Sequence, residues 1–172
     1  EYGLKYAGSG YTLRNCLKSV YNTIAATFTD CGLYKEADIY LEKMLDVSRL
    51  DPCGSEVDFW NSDYMNEFVY YDSKVYVKLG MGDVKGAEQA MEGMGRLLAC
   101  DDISEEGKNF FRLQRECTDL YLRMHRTKDI AAIAEEFNEY MRKMESGELK
   151  VDCLNFCIYN FGELLQVMAK VE

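Results

Sequence analysis

The stretch that decides the fold is residues 21–44, whose sequence is Tyr21-Asn-Thr-Ile24-Ala25-Ala-Thr-Phe28-Thr-Asp-Cys-Gly32-Leu-Tyr34-Lys-Glu-Ala37-Asp-Ile-Tyr40-Leu41-Glu-Lys-Met44. Apolar residues on both sides of Gly32 recur at intervals of three and four, the spacing that places side chains on one face of an α-helix. Glycine is a natural end for a helix, because it tolerates left-handed backbone angles. The stretch therefore predicts two consecutive helices joined at Gly32.

The same spacing continues along the rest of the chain and predicts seven helices with no strand between them. We expect helix pairs at about residues 11–50, 62–100 and 104–146, and a final helix at 152–170. The chain has one proline in 172 residues, and this fits because proline breaks helices and is common in the turns of sheet-rich folds. The predicted fold class is all-α.

An internal repeat becomes visible when the predicted helix pairs are aligned. The turn residues Gly32 and Gly82 are 50 positions apart, and Ala37 and Ala87 keep the same separation. The third pair repeats the layout around Ile133, with no glycine in its turn and a weaker identity.

Residues 21–44 resemble a tetratricopeptide (TPR) repeat along nearly their full length. The residues that carry the resemblance are the large Tyr21 that opens the first helix, the pair Ile24-Ala25, the aromatic Phe28, the turn Gly32, Tyr34 after it, and Ala37, which lets the two helices cross closely. The final helix looks like the first half of another repeat, with Ile158, Phe161-Gly162 and Leu165 in matching places. The resemblance implies one TPR-like domain over residues 1–172, an α-α superhelix of about seven antiparallel helices.

The separation of 50 residues is longer than the usual TPR repeat of about 34 residues. We interpret the difference as longer helices together with an insertion at residues 51–63. TPR-like regions of bacterial signalling and regulatory proteins resemble this long-repeat kind.

The charge balance excludes some classes of partner. Lys and Arg number 20 against 30 Asp and Glu, which gives a net charge of −10. Such a chain repels phosphate backbones and anionic membrane surfaces on average, so we expect no nucleic-acid partner and no membrane association. No apolar run is long enough to span a bilayer.

The chain begins at Glu1 without an initiator Met, and we therefore expect it to be a piece of a longer protein. The cysteines are odd in number, scattered and mostly within apolar segments, a pattern typical of reduced, buried thiols in the cytoplasm. They are Cys16, Cys31, Cys53, Cys100, Cys117, Cys153 and Cys157.

Several motifs that could carry chemistry have a plainer interpretation. The glycines of residues 80–86 follow a predicted helix and not a strand, so a turn is favoured over a phosphate loop. His125 is the only histidine and lies at a predicted helix end, where a structural role is favoured. Cys153 and Cys157 lack further metal ligands, and the acids Glu135-Glu136 belong to an exposed stretch. We predict no catalytic residue, no metal and no cofactor.

Residues 50–73 mix acids with aromatics and contain no Lys or Arg. The set consists of Asp51, Glu56, Asp58, Asp63, Glu67 and Asp72 with Phe59, Trp60, Tyr64, Phe68, Tyr70 and Tyr71. These side chains could capture a basic or amphipathic peptide. The alternative, which we favour, is that the aromatics pack against neighbouring helices and the acids face water.

The TPR resemblance also implies where a ligand would bind. In TPR arrays the first helix of each pair lines a concave groove that holds extended peptides or partner helices. The positions that match are Asn22, Ala26 and Thr29, then Asp72 and Tyr76, then Arg115, Thr118 and His125, and finally Tyr159. The Lys, Arg and Asn cluster with which chaperone-binding TPR domains clamp a terminal carboxylate is absent from them. We expect the partner to be a neutral or basic peptide or protein.

Three functional hypotheses follow. The leading one is a protein-interaction or sensory module of a cytoplasmic, bacterial signalling or regulatory protein. The second is a self-associating scaffold, a homo-oligomer in which the groove or an uncapped end pairs with another copy. The third, an unrecognised hydrolase, has no supporting constellation of residues.

Overall fold

The computed structural model describes residues 11–49, 62–126 and 130–147, and every regular element within these ranges is an α-helix. The all-α class predicted from the sequence is thus confirmed for the described residues. The chain divides into two compact units, Glu1–Ile103 and Ser104–Glu172. The predicted final helix at 152–170 and most of the predicted insertion at 51–63 lie outside the described residues.

The first unit contains two helix pairs. Helices α1 (Tyr11–Asp30) and α2 (Tyr34–Arg49) form the first pair, and α3 (Asp63–Gly80) and α4 (Val84–Leu98) form the second. Each helix packs against the next along the chain, and α1 also contacts α3. The bounds correspond to the pairs predicted at about 11–50 and 62–100.

The second unit contains α5 (Glu105–Arg126) and α6 (Ile130–Glu145), which pack against each other. Ser104 caps α5 by accepting a hydrogen bond from the Gly107 amide at 3.2 Å, as its position before two glutamates predicts. Arg123 ties the two helices together, because it lies 2.9 Å from Asp119 within α5 and 2.9 Å from Glu136 on α6.

The two turns of the first unit are the same structure repeated 50 residues apart. Gly32 has a φ of 72° and Gly82 a φ of 76°, in the left-handed region that favours glycine. In the first turn, the Gly32 amide donates to the Thr29 carbonyl at 2.9 Å and the Leu33 amide donates to the Phe28 carbonyl at 2.8 Å. In the second turn, the Gly82 amide donates to the Leu79 carbonyl at 2.9 Å and the Asp83 amide donates to the Lys78 carbonyl at 2.8 Å. The repeat seen in the sequence therefore exists in the backbone, hydrogen bond by hydrogen bond.

One core cluster of the first unit lies between α1, α2 and α3. Its buried members are Ala25, Ala37, Leu41, Met44, Leu45, Tyr70 and Val77. Ala37 and its repeat counterpart Ala87 are fully buried, as expected for residues at helix crossings. Within the described ranges, no helix is long and apolar enough to cross a membrane.

Candidate functional site

The surface of α1 carries the first three predicted groove residues. Ala26 is exposed, and Asn22 and Thr29 are partly exposed. The Thr29 hydroxyl donates to the Ala25 carbonyl of its own helix at 2.9 Å, so it offers a ligand an acceptor and a methyl group. Asn22 and Ala26 lie one turn apart and present a polar and a small side chain to the same side of the helix.

Helix α3 carries the next two groove residues at the repeat-equivalent positions. Asp72 lies 50 residues after Asn22, and Tyr76 lies 50 residues after Ala26, on a helix that contacts α1. Tyr76 is partly exposed, whereas Asp72 is only 7 % exposed. The direct charge selection expected of Asp72 is not available in this structure, because α3 packs against α1, α2 and α4 and much of its circumference is covered.

Three further groove residues belong to the second unit. Thr118 is fully buried, and its hydroxyl donates to the Gln114 carbonyl at 3.0 Å, so it is closed to a ligand. Arg115 is partly exposed, and its Nε has no hydrogen-bond partner among the described residues. His125 is exposed, and its Nδ1 lies 3.0 Å from the Tyr121 carbonyl in the last turn of α5. Tyr159, the ninth predicted residue, lies outside the described residues.

A network of ion pairs joins α2 to α3 in the first unit. Lys74 pairs with Asp38 and with Glu42, its Nζ lying 2.5 Å from Glu42 Oε1. Lys78 Nζ lies 3.1 Å from Asp38 Oδ2, and the Tyr70 hydroxyl donates to Glu42 at 2.8 Å. This network was not predicted, because its members are distributed over two helices whose mutual rotation no local pattern determines.

The network shifts the pKa of each of its central groups. Partial burial acts to raise the pKa of Asp38 and Glu42, but hydrogen bonds from Lys74 and its charge outweigh burial, so both pKa values are lowered. Burial acts to lower the pKa of Lys74, and its bonds to the two carboxylates reverse the direction and raise it. Burial and the hydrogen bond to Glu42 raise the pKa of Tyr70 to about 12. All four shifts favour the protonation states that keep α2 bound to α3 at neutral pH.

A buried lysine of α1 forms an ion pair with the first residue of α3. Lys18 of α1 is 3 % exposed, and its Nζ lies 3.1 Å from Oδ1 of Asp63, the first residue of α3. Such a charge is tolerated in the interior only because it is paired. The repeat could have revealed this position, since Phe68, 50 residues later, is also buried.

The described aromatic residues of the acidic stretch serve mainly in packing. Phe68 and Tyr70 are buried. The hydroxyl of Tyr64 donates to Asp102 at 3.1 Å, and that of Tyr71 donates to Glu67 at 3.2 Å. Hydrogen bonding with Cys100, partial burial and the Asp102 carboxylate raise the pKa of Tyr64. This arrangement agrees with the packing alternative for the described aromatics, but its expectation that the acids face water is wrong for Asp72, which is buried.

The glycine motif has the plain role expected of it, the cysteine prediction needs one correction, and Cys53, Cys153 and Cys157 lie outside the described residues. Residues 80–86 form the turn from α3 to α4, where Asp83 accepts a hydrogen bond from the Gly86 amide at 2.9 Å. Cys117 is buried, but Cys16 and Cys31 are exposed, so the prediction of buried thiols is wrong at these two sites. Cys16 is on α1, and Cys31 is in the turn that follows this helix. Among the described residues, no group of three or more His, Cys, Asp or Glu could hold a metal ion.

Comparison with protein-family models, with curated proteins and with solved structures finds no match to this chain.

Proposed function

We propose that the first unit is a peptide-binding module of the TPR-like kind, in which an extended neutral or basic peptide lies along the adjacent surfaces of α1 and α3. The observation that carries this proposal is the repeated helix pair. It presents Asn22 and Ala26 on α1 and Tyr76 on α3 at related positions of two neighbouring first helices. In this proposal the helix pairs continue as a right-handed superhelix, and the module serves a cytoplasmic signalling or regulatory protein.

The chemistry of the surface supports a peptide over other ligands. Asn22 can both donate and accept hydrogen bonds, as an extended peptide backbone requires. Tyr76 offers a flat apolar ring with a polar tip, and the small Ala26 leaves room on the neighbouring helix. A groove lined by such side chains can bind both the backbone and the side chains of an extended peptide.

The lysines support a partner that is not acidic. Lys18, Lys74 and Lys78 are the lysines of α1 and α3, and each is engaged in an ion pair with a carboxylate of the same unit. Among the basic side chains of α1 and α3 that the structure describes, none is left unpaired to bind a carboxylate. A neutral or basic peptide therefore fits this surface better than an acidic one.

The test is selection of binding peptides from a random library, followed by affinity measurement on variants. Asn22→Ala together with Tyr76→Ala is expected to weaken the selected peptides at least tenfold. Both side chains are partly exposed, so the free energy of unfolding should fall by no more than about 1 kcal/mol. The matched control is Lys85→Ala with Gln89→Ala, two exposed residues of α4, which should bind as the parent does.

Two outcomes would contradict the proposal. One is a double variant that loses several kcal/mol of stability and still binds normally once folded, which would make Asn22 and Tyr76 core residues. The other is a set of selected peptides that bind the control variant no better than the groove variant.

A further inference from the structure

Three cationic residues lie on one side of α5 in the second unit. Lys108, Arg112 and Arg115 are separated by four and three positions, so they lie within about 60° of one another around the helix. No Asp or Glu occurs between Lys108 and Arg115. Arg112 is exposed, and the other two side chains are partly exposed. We call these three residues the α5 cation row, and it reverses the sign of a chain whose net charge is −10.

The first two members of the row are only weakly paired. Lys108 Nζ lies 3.7 Å from Glu105 Oε1, and Arg112 Nη2 lies 3.6 Å from Glu105 Oε2, so both contacts are longer than hydrogen bonds. The Glu105 side chain is 75 % exposed, and water therefore screens both pairs. Among the described residues, this one carboxylate faces three cations, which leaves two positive charges uncompensated.

Arg115 has no partner of its own within the described ranges. Its Nε is shielded from solvent and has no hydrogen-bond partner there, and its guanidinium forms no ion pair with a described residue. Asp119 lies one turn further along α5, but its carboxylate is bound by Arg123 at 2.9 Å. A covered donor that lacks an acceptor is unfavourable, so this guanidinium is available to a ligand that supplies one.

The α5 cation row is poorly placed to stabilise the helix. Like charges three or four positions apart repel each other along a helix, and cations near a helix start oppose the positive end of the helix dipole. Arg123 shows the contrasting arrangement, because Asp119 and Glu136 both lie 2.9 Å from it and it ties α5 to α6. Helix stability therefore gives no reason for the row, whereas an anion bound to it would remove the repulsion.

We infer that the α5 cation row binds a single phosphate monoester group. Such a group carries a charge of about −1.5 to −2 near neutral pH, which matches the two uncompensated positive charges, whereas one carboxylate would leave a positive charge over. The two guanidinium forks donate paired hydrogen bonds to its oxygens, and Lys108 adds a point charge. Because no hydrogen bond to a described residue holds the Arg115 guanidinium, the side chain can turn and bring Nε to the ligand.

The size of the row limits the ligand to one phosphoryl group. Lys108 and Arg115 are seven positions apart, about 10 Å along the helix, whereas a nucleic acid brings many phosphates close to a chain of net charge −10. All three residues belong to the second unit. The inference therefore does not depend on the peptide site proposed for α1 and α3.

The experiment is a nuclear magnetic resonance titration of the whole ¹⁵N-labelled chain, in which the arginine Nε–H signals are followed. The probe is a short peptide with blocked ends that contains one phosphoserine among glycines and alanines. The Arg112 and Arg115 signals should shift and saturate. A parallel titration with inorganic phosphate identifies the source of the group: tighter binding of the peptide indicates a phosphorylated protein segment, and equal binding indicates a small phosphate ester. Each of these two results supports the inference.

Arg115→Gln should weaken binding of the phosphoserine peptide at least fivefold. The matched control is Arg142→Gln, which removes the same charge from an α6 side chain that is 67 % exposed and bound by Glu139, and it should bind as the parent does. If circular dichroism shows that Arg115→Gln fails to fold, Arg112→Gln at an exposed position replaces it.

Three results would overturn the inference. The first is a parent chain whose Arg112 and Arg115 signals show no saturable shift with either probe. The second is equal weakening by the α5 variant and the α6 control, which would indicate that only overall charge matters. The third is equally tight binding of a peptide with glutamate in place of phosphoserine, since a site for a phosphate monoester should prefer the doubly charged group.

Discussion

At the scale of single residues, the first unit contains a close fit of Gly93 of α4 against Tyr71 of α3. A Cβ atom placed on Gly93 would lie 2.5 Å from the Tyr71 ring. That ring is held from two directions, because its hydroxyl bonds to Glu67 and the Arg96 guanidinium lies 5.8 Å from the ring centroid. The ring cannot simply turn away from an added methyl group.

We therefore predict that Gly93→Ala destabilises the protein, although alanine is the better helix former. Overpacking costs about 1–3 kcal/mol, and the gain in helix propensity is at most about 1 kcal/mol. Chemical denaturation should show a net loss of roughly 1–2 kcal/mol. In a Tyr71→Ala background the same change should become neutral or stabilising, and a loss of equal size in both backgrounds would disprove the steric explanation.

At the scale of single residues, contacts between distant positions were the hardest to predict from the sequence. The glycine at position 93 interrupts a helical pattern with no sign of the ring that requires it. The repeat counterpart Phe68 indicates that Lys18 is at a buried position, but no residue near Lys18 in the sequence identifies its partner Asp63. Both depend on partners 22 and 45 positions away, 71 from 93 and 18 from 63, which local periodicity does not specify.

At the scale of elements, residues close together in the sequence were sufficient to predict where helices begin and end. The helix spacing, the two glycine turns and the Ser104 cap were all predictable, because each depends on residues within one turn of helix. The rotation of α2 against α3 could not be predicted in this way, and that rotation determines which lysine pairs with which carboxylate. The same limit applies to the candidate groove, because Asn22 and Tyr76 are partly exposed whereas Asp72 and Thr118 are buried.

The α2–α3 contact predicts how stability depends on acid. The pKa values of Asp38 and Glu42 are lowered by their lysine partners, so their contribution is present above the unfolded-state values of about 4. It is lost as the pH falls from about 4 through the lowered folded-state values, because the unfolded chain then binds more protons. Asp38→Asn should reduce the free energy of unfolding at pH 7 by roughly 1–2 kcal/mol and flatten its fall below pH 4.

The measurement is a series of urea denaturation curves between pH 7 and pH 2. Glu36→Gln is the control, since it removes an exposed carboxylate from the same helix outside the network. If the free energy of unfolding of Asp38→Asn falls with pH in parallel with that of the parent, the ion pairs with Lys74 and Lys78 contribute nothing in solution.

At the scale of the whole molecule, the question is how far a disturbance travels through stacked helices. In repeat proteins each element contacts only its neighbours, so stability is a sum of local and nearest-neighbour contributions. The first unit departs from the simplest form of this scheme, because one core cluster draws residues from α1, α2 and α3 together. Leu41 lies in that cluster and is fully buried.

We predict that Leu41→Ala raises amide hydrogen exchange in all three of these helices and not in α2 alone. Removing a fully buried leucine side chain costs about 2–5 kcal/mol, and Leu41 belongs to a cluster with members from each of the three helices. The exposed Ile39→Ala in the same helix is the control, with an expected change within about 0.5 kcal/mol. Exchange measured by mass spectrometry should rise by similar factors in peptides from α1, α2 and α3. A rise confined to α2 would mean that each helix opens by itself and that the cluster is not a cooperative unit.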